Sequence, residues 1–219
     1  MQWIILIGGL LIAYLLGSIP TAVWVGKWFY HRDIRNEGSG NAGATNVIRV
    51  LGVKAGIPVI FVDVLKGFLA VYFMSAFIPP GWTASQIIYA QMLAGFLAVI
   101  GHVYPVFASF RGGKGVATLL GMGIALFPNV IWIPVVVFAI VAFGTGYVSL
   151  GSMLGGVSFP LADILLYHDR HPGRVIFSIV AALFLLYTHR QNIRRLWKGE
   201  ENRFKRVKKK LNNYCGKLI

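Results

Sequence analysis

The run VATLLGMGIALFPNVIWIPVVVFAIVAF, residues Val116–Phe143, holds 28 consecutive residues without a charge. A hydrocarbon core about 30 Å thick takes roughly 20 apolar residues per helix, so this run is long for one span and short for two. Pro128-Asn129 lies near its middle, where a missing backbone donor and a strong turn preference favour a break. The charges on either side decide the count. Upstream, Trp3 to Trp28, Val53 to Ile78 and Ser85 to Val103 read as three spans, the second interrupted beyond Lys54 only by Asp63 and Lys66. Lys27, Arg32, Arg35, Arg49 and Lys54 mark the first intervening loop as cytoplasmic, and Arg111 with Lys114 mark the loop two spans later. Downstream, Val148 to Tyr167 and Val175 to Thr188 precede a tail carrying 11 of the 21 Lys and Arg, which would resist translocation. Lys114 and that tail lie on one side, so an even number of crossings joins them. The 28-residue run therefore supplies two short spans of about 12 to 15 residues each, tilted or set in a locally thinned bilayer. The expected architecture is all-α, a polytopic membrane helix bundle with seven transmembrane helices, the N-terminus outside and the C-terminus cytoplasmic.

Composition points the same way. Hydrophobic residues make up 57% of the 219 positions and charged residues 13%, with a mean hydropathy of +0.69. A soluble domain of this length carries about 25% charged residues to cover its surface, and disorder has the opposite signature. The net charge of +14 and pI of 10.2 would suit nucleic acid, yet the basic residues concentrate after His189, so no nucleic-acid partner is expected. The first span has no basic start and no small-residue cleavage site, and is too long for a signal peptide. Cys215, the single cysteine, forms neither an internal disulfide nor a metal site. Residues 1–200 read as an integral-membrane domain and 201–219 as a basic cytoplasmic tail suited to anionic lipid.

This topology leaves plain segments outside, namely Pro79-Pro80-Gly81-Trp82, Pro128-Asn129 and His168 to Gly173, and gathers the glycine-rich ones on the cytoplasmic side. The first is Gly38-Ser39-Gly40-Asn41-Ala42-Gly43-Ala44-Thr45-Asn46, followed by Arg49. Its glycines fit G-x-G-x-x-G, but a dinucleotide fingerprint must follow a strand, and the acidic residue about 20 positions on, Asp63, lies within a span. What remains is an anion-binding concavity of successive backbone N–H groups. Ser39, Asn41, Thr45 and Asn46 add neutral donors and Arg49 a guanidinium fork suited to phosphate. A capped glycine-rich turn is the plainer alternative.

The second segment is Arg111-Gly112-Gly113-Lys114-Gly115, leading through Val116 and Ala117 to Thr118. Ala108 stands where a Walker A loop needs Gly, and Gly115 follows Lys114 where it needs Ser or Thr, so nucleotide hydrolysis has little support. A lysine among glycines opening a helix does suit phosphate, with Gly113, Gly115 and Thr118 around it; a snorkelling anchor is the alternative. Asp63 and Lys66 share a helix face as an ion pair, either structural or orienting the cations. His189 and Asn192, also three apart, point into one cytoplasmic pocket or else belong to an interfacial belt. Ser149 and Ser152 complete that pocket, unless they serve helix packing. No metal or cofactor is expected: seven acids, none clustered, disfavour a metal-dependent alcohol phosphotransferase.

Together, Gly38 to Asn46 with Arg49, Gly101-His102-Val103-Tyr104-Pro105 leading to Gly112 to Thr118, Asp63 to Gly67, and His189 with Asn192 resemble the bacterial acyl-phosphate:glycerol-3-phosphate acyltransferase family, PlsY. The resemblance runs to about Glu200. It implies a seven-span bundle in the bacterial cytoplasmic (inner) membrane with its motifs facing the cytoplasm. It also implies transfer of a fatty acyl group from acyl phosphate to the sn-1 hydroxyl of glycerol 3-phosphate, giving lysophosphatidic acid and phosphate. Both substrates carry phosphate, which suits two basic glycine-rich sites. None of the five histidines has Asp five residues later, so the His-x4-Asp dyad of other glycerolipid acyltransferases is absent. Direct transfer by positioning and charge stabilisation is expected, without a covalent acyl enzyme. Ser39, Thr45, Arg49 and Lys114 would hold acyl phosphate, and His189, Asn192 and Ser152 glycerol 3-phosphate; His189 as general base is the rival. Membrane lipid and a soluble acyl-phosphate synthase are the candidate partners of the tail. A transporter or flippase for an anionic phosphorylated lipid is the alternative from another class, although no internal repeat supports it.

Overall fold

A computed structural model describes residues 2–165 and 172–203. The segment from His168 to His171 and the tail from 204, with Cys215, lie outside the described residues. Where one span is expected at Trp3 to Trp28, two helices form, α1 (Gln2–Gly17) and α2 (Thr21–Tyr30), bent by 42°. Pro20 breaks the run by removing a backbone donor. The carbonyl of Ile19, at the break, accepts from Lys66 Nζ at 3.1 Å, so a buried cation serves a backbone group that lipid could not.

Part of the first cytoplasmic segment, expected as loop to Arg49, is helical: α3 (Ala44–Leu51) begins at Gly43 and stops at Gly52. It is followed by α4 (Val53–Met74) and α5 (Ala84–Val103). Thr83 and Gln86 form a reciprocal capping box at the start of α5. The 28-residue run does divide at Pro128, into α6 (Val116–Leu126) and α7 (Trp132–Thr145). Then come α8 (Val148–Leu165), α9 (Pro172–Thr188) and α10 (Arg190–Trp197), the last pair bent by 58°. Among the described residues every regular element is helical.

Three helices, α4, α5 and α8, are long and apolar enough to cross a membrane, and the two bent pairs raise this to five; α6 and α7 are apolar but shorter. The exterior is what lipid requires, with Ile4, Phe29, Ile140 and Phe143 exposed. Asp63, Lys66, Thr118 and His189 are instead buried. Helices approach through glycine. On α4, Gly67 faces the Thr118 carbonyl of α6, while Gly121 of α6 faces the Val64 carbonyl of α4, and a Cβ at either would strike backbone. Such contact supplies van der Waals attraction where lipid removes the hydrophobic drive.

Candidate active site

Between α3, α4 and α6 to α10 lies a cavity of about 390 Å³. One end is polar, with Arg49, Lys114, Ser149, His189, Asn192 and Glu201; the rest is walled by Leu119, Leu120, Val135, Phe138, Ala182 and Leu185. Ser39, Asn41, Thr45, Asn46, Gly115 and Ser152 also line it. Gly113 and Thr118 do not line it. Gly113 packs on the His102 ring, and fully buried Thr118 sits in the α4–α6 contact.

The Gly38 to Asn46 segment is organised from within. Asn46 is 1% exposed. Its Oδ1 accepts from the Ser39 backbone N–H at 2.8 Å, and its Nδ2 donates to the carbonyls of Ile34 and Glu37 at 2.8 and 3.0 Å. Gly38, at φ +60°, adopts a conformation that suits glycine and lies against Asn46 Oδ1. Upstream, Arg35 is bound to Asp33 and reaches the Ala108 carbonyl at 3.0 Å. The Arg35 hydrogen bond holds the Asp33 carboxyl well below the usual carboxylate range. The start of α3 has no side-chain cap, and Gly43, Ala44 and Thr45 line the cavity there. Uncapped N–H groups at a helix start favour an anion. Arg49, half-buried one turn on, is held below its ordinary pKa by that burial, which outweighs attraction to Glu201.

The Gly112 to Gly115 segment is held by backbone. Gly112 N–H donates to the Val103 carbonyl at 3.2 Å and Gly113 N–H to the His102 carbonyl at 3.1 Å. Beneath it Asp63 lies 2.9 Å from Lys66 and 3.6 Å from His102 Nδ1. The Asp63–Lys66 pair thus reaches the loop through His102, a link that residue spacing alone leaves undecided. Gly115, at φ +84°, starts α6 and leaves Lys114 pointing to Asn192. The Lys114 carbonyl accepts from Thr188 Oγ1 at 3.1 Å, and its amine donates to Asn192 Oδ1. Burial lowers the Lys114 ammonium to about 8, with Arg195 and Arg49 adding to the effect and Glu201 opposing it.

His189, 2% exposed, has its Nδ1 2.8 Å from the Leu185 carbonyl. A carbonyl only accepts, so Nδ1 carries the proton and Nε2 is left as an acceptor. Burial, then Lys114, pushes its pKa down to about 4, against the Leu185 hydrogen bond, so the ring is neutral at ordinary pH. Ser149 and Ser152 stand in the first turns of α8. The Ser152 hydroxyl donates to its own helix at Val148, 2.9 Å away, while Ser149 donates to Glu201 at 2.8 Å.

Glu201 is the residue that the sequence reading leaves in the tail. Its Oε1 also accepts from Asn192 Nδ2 at 2.7 Å and its Oε2 from Arg195 at 3.0 Å. Burial opposes its charge, yet Asn192, Ser149 and Arg195 together hold its pKa below the usual range. The same Asn192 amide thereby joins Glu201 to Lys114. No residue spacing marks it: Glu201 follows Asn192 by nine positions, and the chain turns back to the site at Gly199, φ +71°.

The site is a cationic, donor-rich mouth opening into an apolar channel, matched to a phosphorylated lipid. The family model of glycerol-3-phosphate acyltransferase matches residues 7–199. The chain is 41% identical over 197 residues to a glycerol-3-phosphate acyltransferase of Staphylococcus carnosus, covering 90% of this chain and 96% of that one. It is 42% identical to glycerol-3-phosphate acyltransferase 2 of Bacillus anthracis, with 89% and 96% covered. Among solved structures it is similar to the glycerol 3-phosphate form of PlsY (YgiH), an integral membrane glycerol 3-phosphate acyltransferase, at 38% identity and a TM-score of 0.80, with 91% and 96% of the chains covered. The lysophosphatidic acid form of PlsY gives 36% identity and a TM-score of 0.75, with 91% and 95% covered. On sequence and fold together, the chain belongs to the PlsY family of integral membrane glycerol-3-phosphate acyltransferases.

Proposed function

We propose that this protein transfers a fatty acyl group from acyl phosphate to the sn-1 hydroxyl of glycerol 3-phosphate, releasing lysophosphatidic acid and phosphate. One observation carries the reading: a single cavity joins Lys114, Arg49 and the uncapped start of α3 to an apolar channel between α6, α7, α8 and α9. An acyl phosphate has this polarity, with a dianionic head and a long apolar chain.

In this reading the Ser39 hydroxyl, Thr45, Arg49, Lys114 and the N–H groups of α3 hold the acyl phosphate. They bring two anions together in a dry, positively charged mouth, where fixed donors are worth more than in water. Asn192, His189 and the Ser149 side hold glycerol 3-phosphate, with Asn41, Gly115 and Ser152 shaping the mouth. The attacking oxygen forms an ester bond to the acyl carbon, and the bond to the phosphate oxygen breaks. The departing phosphate oxygens take the hydroxyl proton, so neither a protein base nor an acyl enzyme is required. Neutral His189 with Nε2 open serves as a hydrogen-bond acceptor that orients the hydroxyl.

The test is to mix purified protein with acyl phosphate and glycerol 3-phosphate without metal and follow lysophosphatidic acid, with acyl-CoA as control. Product from acyl phosphate alone supports the reading; none, or an acylated enzyme, overturns it. A lipid transporter would make no product. We further infer seven spans, α1 with α2, then α4, α5, α6, α7, α8 and α9, in the inner membrane with the cavity facing the cytoplasm, and a membrane domain that takes in Glu201 before the basic tail. Cys215, the only cysteine, is a ready reporter of that topology. A membrane-impermeant maleimide should label it in inverted vesicles and spare it in intact cells.

A further inference from the structure

The channel has an end, and the end is built differently from the mouth. On α8 the lining residues Ser149, Ser152, Gly155, Gly156 and Phe159 fall on one helix face. The stripe opens polar, passes two glycines, and stops at a ring. Ser149 and Phe159 are about 15 Å apart along the helix at 1.5 Å per residue. On the antiparallel α9, lining extends from His189 to Ala181 and no deeper. Ser178, one turn beyond, is fully buried with its hydroxyl on the Val175 carbonyl at 2.9 Å. Met122 of α6 and Ile131, just before α7, reach the same depth.

Behind Phe159 there is packed side chain. Its ring meets Phe127 edge to face at 4.9 Å and 90°. Phe127 is 1% exposed, stacks on Phe177 at 9°, and carries the Arg174 guanidinium 4.6 Å from its ring centre. Met92, Val130 and Ala162 fill the remainder of that cluster. A ring fixed on so many sides cannot swing aside as a lone surface phenylalanine could.

We propose that Phe159, backed by Phe127, is the stop that sets the longest acyl chain the protein accepts. The proposal rests on the acyl-phosphate reading above and adds a specificity determinant to it. A chain that just reaches Phe159 gains apolar contact with each carbon. One methylene more must displace the ring or leave the chain buckled. In a closed apolar pocket one methylene is worth about tenfold or more in kcat/KM.

The experiment measures kcat/KM for a series from decanoyl to octadecanoyl phosphate, with the full-length protein and its Phe159→Leu, Phe159→Ala and Ala182→Leu variants. The wild-type profile should rise with length and then drop by about tenfold at the first rejected chain. Phe159→Ala should recover about tenfold on that chain and move the drop to longer chains, with Phe159→Leu between. Ala182→Leu, which fills the channel just short of its deep end from the α9 side, should move the drop to shorter chains even if Phe159→Ala fails to fold. A wild-type profile without a drop, meaning that the chain leaves sideways into lipid, would overturn the proposal. So would a drop that neither position moves. Absence of lysophosphatidic acid with every acyl phosphate would instead sink the acyl-transfer reading itself.

Discussion

The two glycine-rich segments look alike in sequence and are held in opposite ways. In Gly38 to Asn46 a side chain is the frame: Asn46 ties Ser39, Ile34 and Glu37 together and leaves the start of α3 to face the cavity. In Gly112 to Gly115 the backbone is the frame, fastened to the end of α5, and the one long side chain, Lys114, is offered to the cavity. The lesson is that a donor-rich residue in such a segment need not be a ligand. In the first, the Asn46 side chain is spent on the fold and the N–H groups of Ala44 and Thr45 at the start of α3 remain; in the second, the Gly112 and Gly113 N–H groups are spent and the cation remains.

The sharpest way to break this contrast is to remove the two side chains separately. Lys114→Ala should lower kcat/KM by about 10² to 10³, the usual effect of deleting a charged donor from a preorganised site, while the thermal unfolding midpoint in detergent stays close to wild type. Asn46→Ala leaves a buried N–H and two carbonyls without their partner, so it should cost about 2 to 3 kcal/mol of stability, seen as a lowered unfolding midpoint. If Asn46→Ala unfolds like wild type and loses only activity, Asn46 is a ligand and the two segments are alike after all.

The helices were largely legible because charge and proline bound them. Pro128 divides the long apolar run as its sequence position implies, and Thr83 and Gln86 cap α5. Pro20 was there to be read too, but no charge precedes Lys27 in the Trp3 to Trp28 run, and hydropathy alone does not register a bend. α3 escaped because its polar, glycine-led start reads as loop. In the site, Lys114, Arg49, His189 and Asn192 could be picked out because glycine or helical spacing singles them out. Glu201 could not: it follows Asn192 by nine positions through a turn, and only folding back brings it to Ser149 and Lys114's partner. The division of labour within Asn46 was also invisible, since an amide that caps and an amide that binds are the same letter.

A smaller effect should follow from pH. The free-enzyme profile of kcat/KM reports the groups that must be charged before substrate arrives. Lys114, lowered to about 8, is protonated below that pH and neutral above it, so kcat/KM should fall as pH rises through about 8, roughly tenfold per unit beyond. Lys114→Arg, whose charge persists, should move that limb upward even if its rate is reduced. An acid limb near pH 6 belongs to the second ionisation of the substrate phosphates. It should survive His189→Gln, because His189 at about 4 has no part in it. Loss of that limb in His189→Gln would restore the histidine as a base.

The smallest change is expected where the sequence reading expected a substrate contact. The Ser152 hydroxyl donates back to the Val148 carbonyl of its own helix, so its proton is already committed, and a substrate phosphate, which only accepts, gains nothing from it. Ser149 differs by donating to Glu201 across the cavity. Ser152→Ala should therefore change KM for glycerol 3-phosphate by less than about threefold, within the spread of neutral substitutions. Ser149→Ala should cost more, because it strips a hydrogen bond from the buried Glu201 carboxylate and loosens the hold on Asn192 and, through it, Lys114. Equal effects at the two serines would mean that Ser152 turns its hydroxyl to substrate once the mouth is occupied, and that the second glycine-rich segment shares its phosphate with α8.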